Sequence, residues 1–222
     1  MDVSTNTTLA ALAVRLPGAS RVFRRYGLDY CCAGHRALAD ACAAKNLDAA
    51  AVLAEVERES TGASAELPSF ADRPLTEVIA HVLEHYHEPL KVELPELIAM
   101  AQRVETRHGD KPSCPRGLAQ HLEGMHAELS QHLAKEERIL FPMIQMGGGA
   151  GAGGPITVMT REHDDHGAAL RRTRELTTDL VPPAGACATW RALYLRLEQL
   201  EKELMDHIHL ENNILFPRAL RG

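Results

Sequence analysis

Apolar residues recur at helical spacing through most of this chain. Leu75, Val78, Ile79, Val82, Leu83 and Leu90 mark one stripe of a helix over 74–107. Pro89 and Pro95 predict a kink or break inside it. Three more long helices are predicted over 116–145, 156–180 and 185–219. Between them, 108–115 (HGDKPSCP) reads as a turn and 147–154 (GGGAGAGG) as a flexible, non-helical connection. Pro182 and Pro183 interrupt before the last helix. Four long helices with short connections predict an up-down four-helix bundle. Shorter helical pieces precede it over 7–15, 18–26, 35–45 and 48–60, with Asp48 as an N-cap and a loop over 29–34. The small and polar stretch 61–73 predicts a linker. The expected organisation is all-α: a small helical domain over 1–60, the linker over 61–73, and the bundle over 74–222.

Composition agrees with this picture and narrows the function. The 222 residues are 45% apolar and only 4% aromatic, with abundant Leu, Ala, Glu and Arg, all compatible with helix. A net charge of -6 without a long block of one sign argues against nucleic acid as a partner. The lack of a run of about 18 apolar residues argues against a membrane span. The start, MDVSTNTTLA, lacks the basic-then-apolar pattern of a secretory signal. Five scattered cysteines, Cys31, Cys32, Cys42, Cys114 and Cys187, do not make a disulfide framework and fit a reducing cytoplasm. Twelve histidines, many beside carboxylates, raise a metal site.

An internal repeat gives that site its shape. His132-x-x-x-Glu136 followed by Ile139, Leu140, Phe141 and Pro142 recurs 75 residues later as His207-x-x-x-Glu211 with Ile214, Leu215, Phe216 and Pro217. His87-Glu88 and His163-Asp164 echo each other more weakly. Residues at i and i+4 share one helix face, so each His–Glu pair reaches one point. The apolar runs predict that these faces are buried, where an unpaired carboxylate is costly and a dication removes the cost. The tally is four imidazoles (His87, His132, His163, His207) and two carboxylates (Glu136, Glu211). With both glutamates bridging, and an oxo or hydroxo bridge between, each metal keeps an open position. Such mixed ligation suits iron or manganese.

Several histidines compete for these roles. His81 and His85 share a face that His87 does not, His166 rivals His163, and His209 points away from His207 as a surface or supporting residue. His121 and His126 are expected to face solvent. Tyr86, Glu162, Asp164 and Asp206 are candidate supports for the ligands. Cys31 and Cys32 are adjacent, so a relaxed disulfide between them is not expected. They read either as small buried residues or as a thiol site, with Arg24, Arg25 and His35 near in sequence to supply positive charge. Cys42, Cys114 and Cys187 show no ligand-like partners.

Read together, the motifs resemble the repair-of-iron-centres family, the iron–sulfur cluster repair di-iron proteins. The resemblance runs from about residue 8 to the end. It rests on Asp29-Tyr30-Cys31-Cys32 with Gly34, Tyr86-His87, Leu94-Pro95-Glu96-Leu97, His132-x-x-x-Glu136, Phe141-Pro142, Glu162-His163-Asp164 and Asp206-His207-x-x-x-Glu211-Asn212-Asn213. It implies a hemerythrin-like bundle, two irons per chain with terminal histidines and bridging glutamates, and a cytoplasmic stress-response protein. Its clients would be iron–sulfur proteins damaged by nitrosative or oxidative stress. Nitric oxide binding, or reduction to nitrous oxide, is the alternative activity; a gas sensor and an oxygen carrier rank below. A homodimer through the N-terminal piece is the expected assembly.

Overall fold

Helix-favouring composition is realised throughout. In the computed structural model, which describes residues 3–62 and 70–221, every named element is helical. The strand-like feature among the described residues is an isolated bridge between Thr8 and Ala37.

Four short helices come first: α1 (Leu9–Arg15), α2 (Ala19–Arg25), α3 (Leu38–Ala43) and α4 (Ala49–Gly62). Thr8 caps α1 by accepting from the Ala11 N–H, and Asp48 caps α4 by accepting from Ala50 and Ala51. Together they enclose a core of their own around Leu12, Val22, Phe23, Tyr30, Leu38 and Val56, with Met205 of the bundle packed on its edge. Of the expected linker, 63–69 lie outside the described residues. Its far end is docked: Phe70 packs on His81 at 4.5 Å, and Arg218 donates to the Phe70 and Arg73 carbonyls.

The bundle follows. Its first helix is α5 (Leu75–Val82), a π-turn over Leu83–His87, and α6 (Glu88–His108). Its second is α7 (Leu118–Lys135), a π-turn over Glu136–Leu140, and α8 (Phe141–Gln145). The third is α9 (Gly153–Thr177), and the fourth is α10 (Ala188–Leu210), a π-turn over Glu211–Leu215, and α11 (Phe216–Ala219). Helix α6 packs on α7 and α10, and α9 packs on the same two, closing the ring.

Two sequence expectations are corrected here. Pro89 and Pro95 do not break the first helix; the chain passes from α5 through the π-turn into α6, and Pro95 lies inside α6. The glycine-rich run is not an irregular connection. Gly147 and Gly149 take left-handed φ of 95° and 52° to reverse the chain, after which Gly149–Ala152 form a 3-10 turn and Gly153 opens α9. Burial of Ala152 fixes this turn against the bundle.

The three π-turns share a register. In each a proline stands two residues past the end of the turn: Pro89, Pro142 and Pro217. Proline has no N–H to give and clashes with the carbonyl four residues back, so a wider i→i−5 turn ahead of it relieves both faults. The N–H groups of Glu88, Phe141 and Phe216 make that wider bond, to Leu83, Glu136 and Glu211. Pro95 has no such turn, so proline alone is not sufficient. The π-turns occur where His87, Glu136 and Glu211 must also point inward. Those side chains form a polar layer between two apolar cores. One is built on Leu94, Leu97, Leu122, Trp190 and Leu197, the other on Val78, Val82, Phe141, Leu215 and Phe216.

Candidate metal centre

Six buried side chains converge in that layer. His87 and His207 meet Glu136 and Glu211 in one group, and His132 and His163 meet the same two glutamates in another. Within each group the ligand-type atoms all lie within 4.8 Å of one another. The histidines therefore pair across the hairpins, first helix with fourth and second with third. The glutamates belong to both groups. Glu211 turns Oε1 to His207 Nε2 at 3.1 Å and Oε2 to His163 Nε2 at 3.2 Å. Glu136 Oε2 stands 3.4 Å from Nε2 of both His87 and His132.

The ring orientations are set from behind. His87 Nδ1 faces Glu137 at 2.9 Å, His132 Nδ1 faces Glu162 at 2.9 Å, and His163 Nδ1 faces the Asn212 side-chain oxygen at 2.8 Å. These partners accept, so each Nδ1 carries the proton and each Nε2 turns its lone pair inward. His207 is held by stacking on Tyr86, centroids 5.2 Å apart. Of the supports expected from sequence, Glu162 touches His132 and Tyr86 touches His207. Asp206 instead joins Arg24 and Tyr30, and Asp164 is exposed. Glu137 and Asn212 were not singled out as supports. Their adjacency to Glu136 and Glu211 was the available signal.

The electrostatics of the centre are those of a site built for cations. Both oxygens of Glu136 and of Glu211, Nε2 of His87 and both nitrogens of His207 are buried without a hydrogen-bond partner. Burial, then the neighbouring Glu211 charge, pushes the Glu136 carboxyl well above the usual range. Burial acts the same way on Glu211, but His207 and His163 outweigh it and hold that carboxyl well below. Burial lowers His87 to about 4 and His132 to about 2, with the facing histidines adding to the effect. Neutral imidazoles and paired carboxylates with unpartnered atoms fit a divalent pair.

Two of the other histidines, His121 and His209, depart from the sequence expectation. His121 does not face solvent: its Nε2 bonds Ala169 O and Thr173 Oγ1 at 3.0 Å each. His209 is buried, bonded to Asn213 and set edge-on to Tyr30. His81 and His85 stack on each other outside the centre, at 4.1 Å. His166 is buried beside His132 without joining either group.

The 29–34 loop is folded onto the centre. Asp29 Oδ1 accepts from the N–H groups of Cys32 and Ala33 and from the Cys31 thiol. A Cβ on Gly34 would fall 2.4 Å from the Tyr30 carbonyl, so only glycine fits. Cys31 and Cys32 are free thiols with sulfurs 3.6 Å apart. None of the three groups expected to supply positive charge is turned to them: Arg24 bonds Tyr30 and Asp206, Arg25 pairs with Glu55 and Glu59, and His35 is exposed, while Arg171 lies 3.8 Å from Asp29. The hydrogen bond to Cys32, burial and Asp29 push the Cys31 thiol well up. Cys187, thought partnerless, lies 3.3 Å from His108 Nε2.

Comparison with known proteins places these features in a family. Residues 78–219 match the hemerythrin HHE cation binding domain, and residues 5–60 match a domain of unknown function (DUF542). Over 217 residues, 98% of each chain, the sequence is 48% identical to the iron-sulfur cluster repair protein YtfE of Yersinia pseudotuberculosis serotype O:1b (strain IP 31758). The protein of the same name from Yersinia pestis (strain Pestoides F) matches to the same extent. No helix among the described residues is long and apolar enough to cross a membrane.

Proposed function

This chain belongs to the iron–sulfur cluster repair proteins, and on that premise we propose that it repairs damaged iron–sulfur clusters by supplying iron from the bundle. His87, His132, His163 and His207 are the terminal ligands, and Glu136 and Glu211 the bridges. The observation that carries this reading is the sharing of both glutamates between two histidine pairs. That arrangement suits two ions held side by side, and imidazole with carboxylate suits iron. Two irons held by these residues would supply exchangeable metal and reactivity toward a small diatomic ligand.

The protein's own residues set how that iron is held. Glu137, Glu162 and Asn212 fix three imidazoles in the tautomer that offers Nε2 inward. The apolar cores on both sides limit water access. Asp29, Cys31 and Cys32, whose ligand-type atoms also lie within 4.8 Å of one another, form a receiving point for iron on its way to a client. On this reading the module over 1–60 is the delivery side and the bundle over 74–222 the store.

The test is repair itself. Iron-loaded protein added to a cluster enzyme inactivated by nitric oxide should restore activity while the bundle loses iron in proportion. Failure with fully loaded protein would refute the proposal. Nitrous oxide yield measured on the same preparation separates donation from nitric oxide reduction, since only the latter leaves the bundle's iron in place.

A further inference from the structure

His166 is a buried imidazole that the paired centre does not use. It is 3% exposed, and neither ring nitrogen has a hydrogen-bond partner. Leaving such a group unpaired is costly, so its nitrogens call for a ligand. The ring stands edge-on to His132, centroids 4.9 Å apart, and lines a cavity of about 440 Å³. Around the same cavity lie Glu128, Glu162, Asp165 and Lys135. Three carboxylates face one ammonium, so the lining keeps a negative excess.

Glu162 and His166 are one turn apart on α9, the spacing that lets two side chains reach one ion. Glu162 already accepts from His132 Nδ1 and Lys135, one bond to each carboxylate oxygen. Each oxygen retains a second lone pair. The carboxylate that accepts from His132 Nδ1–H therefore also lines the cavity with a lone pair to spare on each oxygen, and it joins the cavity to the paired centre.

We propose that His166 and Glu162 form a third, weaker site for a divalent metal ion, at the cavity beside the His132 half of the centre. Its place next to a bound metal rests on the di-metal reading above; its ligands do not. The donor set, one imidazole and carboxylate oxygen open to the surface, selects a first-row divalent ion such as ferrous iron. Fewer protein donors make it the weaker site, suited to an ion in transit.

Equilibrium dialysis of the metal-free full-length chain against ferrous iron, without oxygen, tests this, every protein compared carrying Cys31→Ser and Cys32→Ser so that the thiol point takes no iron. This parent should take up two ions tightly and a third more weakly. His166→Ala should lose the third, or weaken it by about tenfold or more, and keep the tight pair. His166→Phe, which preserves ring volume, should do the same and guards against a folding defect. Saturation of the parent at two ions, or three ions retained in both variants, would overturn the site. His132→Ala judges the di-metal reading separately: if it keeps both tight ions, that reading fails, while the third ion is still decided by His166.

Discussion

The thiol of Cys32 donates to the backbone carbonyl of His163 across 3.3 Å, so the N-terminal module touches a proposed ligand directly. Gly167 makes this approach feasible, because a Cβ there would stand 3.2 Å from the Cys32 sulfur. Gly167→Leu should therefore push Cys32 off the bundle and raise its alkylation rate several-fold, leaving the metal content unchanged. Overpacking should cost about 1–3 kcal/mol. Peptide mapping after brief exposure to N-ethylmaleimide reads the rate; equal labelling in both proteins would contradict the contact.

Asn212 makes a second link. Its oxygen faces His163 Nδ1 at 2.8 Å while its amide donates to the Cys31 carbonyl at 3.2 Å. Asn212→Leu removes both bonds at similar size. We expect metal affinity to fall by about 10- to 100-fold, the usual effect of losing a partner behind a ligand. Chelator competition measures it, and an affinity within twofold of wild type would show that Asn212 does not orient His163.

Glu136 predicts opposite effects on stability and on metal. In the metal-free chain its carboxyl is fully buried and unpartnered. Glu136→Gln keeps the shape and removes the cost of holding a proton that the unfolded chain releases at neutral pH, so the metal-free variant should be more stable by about 1–3 kcal/mol, raising Tm by several degrees. The same change removes a bridging oxygen, so bound metal per chain should fall. Calorimetry and metal analysis on one preparation check both. A variant that loses stability without metal would show that the buried Glu136 carboxyl is not a cost to the fold.

His87 and His163 rest on the correspondence between the two halves and on the family resemblance, whereas the bundle, the His132/Glu136 and His207/Glu211 pairs and the module ahead of it could be read from side-chain spacing, because helical period and the His132/His207 repeat are local. Which histidines share an ion could not. Adjacency does not decide it, since α6 and α9 each touch both α7 and α10; the directions in which the side chains enter the layer put His207 with His87 and His163 with His132. The π-turns were hidden for a related reason. Pro89, Pro142 and Pro217 predict a fault in the hydrogen-bond ladder but do not say whether the helix breaks or widens, and the buried ligand beside each turn resolves it toward widening. The role of Arg24 was misread because proximity in sequence to Cys31 says nothing of Asp206, which lies 182 residues away and takes its charge.

The pH dependence of the metal-free chain follows from the buried imidazoles. Burial is the main cause holding His87, His166 and His209 to about 4 and His132 to about 2. In the unfolded chain each titrates near 6.5. Between those limits the unfolded chain binds protons that the folded chain does not, so stability is present above about 6.5 and is lost as pH falls toward 4. Glu136 works in the other direction. Its raised carboxyl keeps a proton that the unfolded chain has released, so its contribution weakens as pH rises. Four imidazoles outweigh one carboxyl, and the metal-free Tm should drop by roughly 10 °C or more between pH 7 and pH 5. Metal loading steepens the slope, since neutral imidazoles and ionised glutamates are the ligating forms. Thermal melts of chelator-treated and iron-loaded protein across that range measure both slopes. A flat profile in the metal-free chain would mean that these imidazoles take up protons without unfolding it.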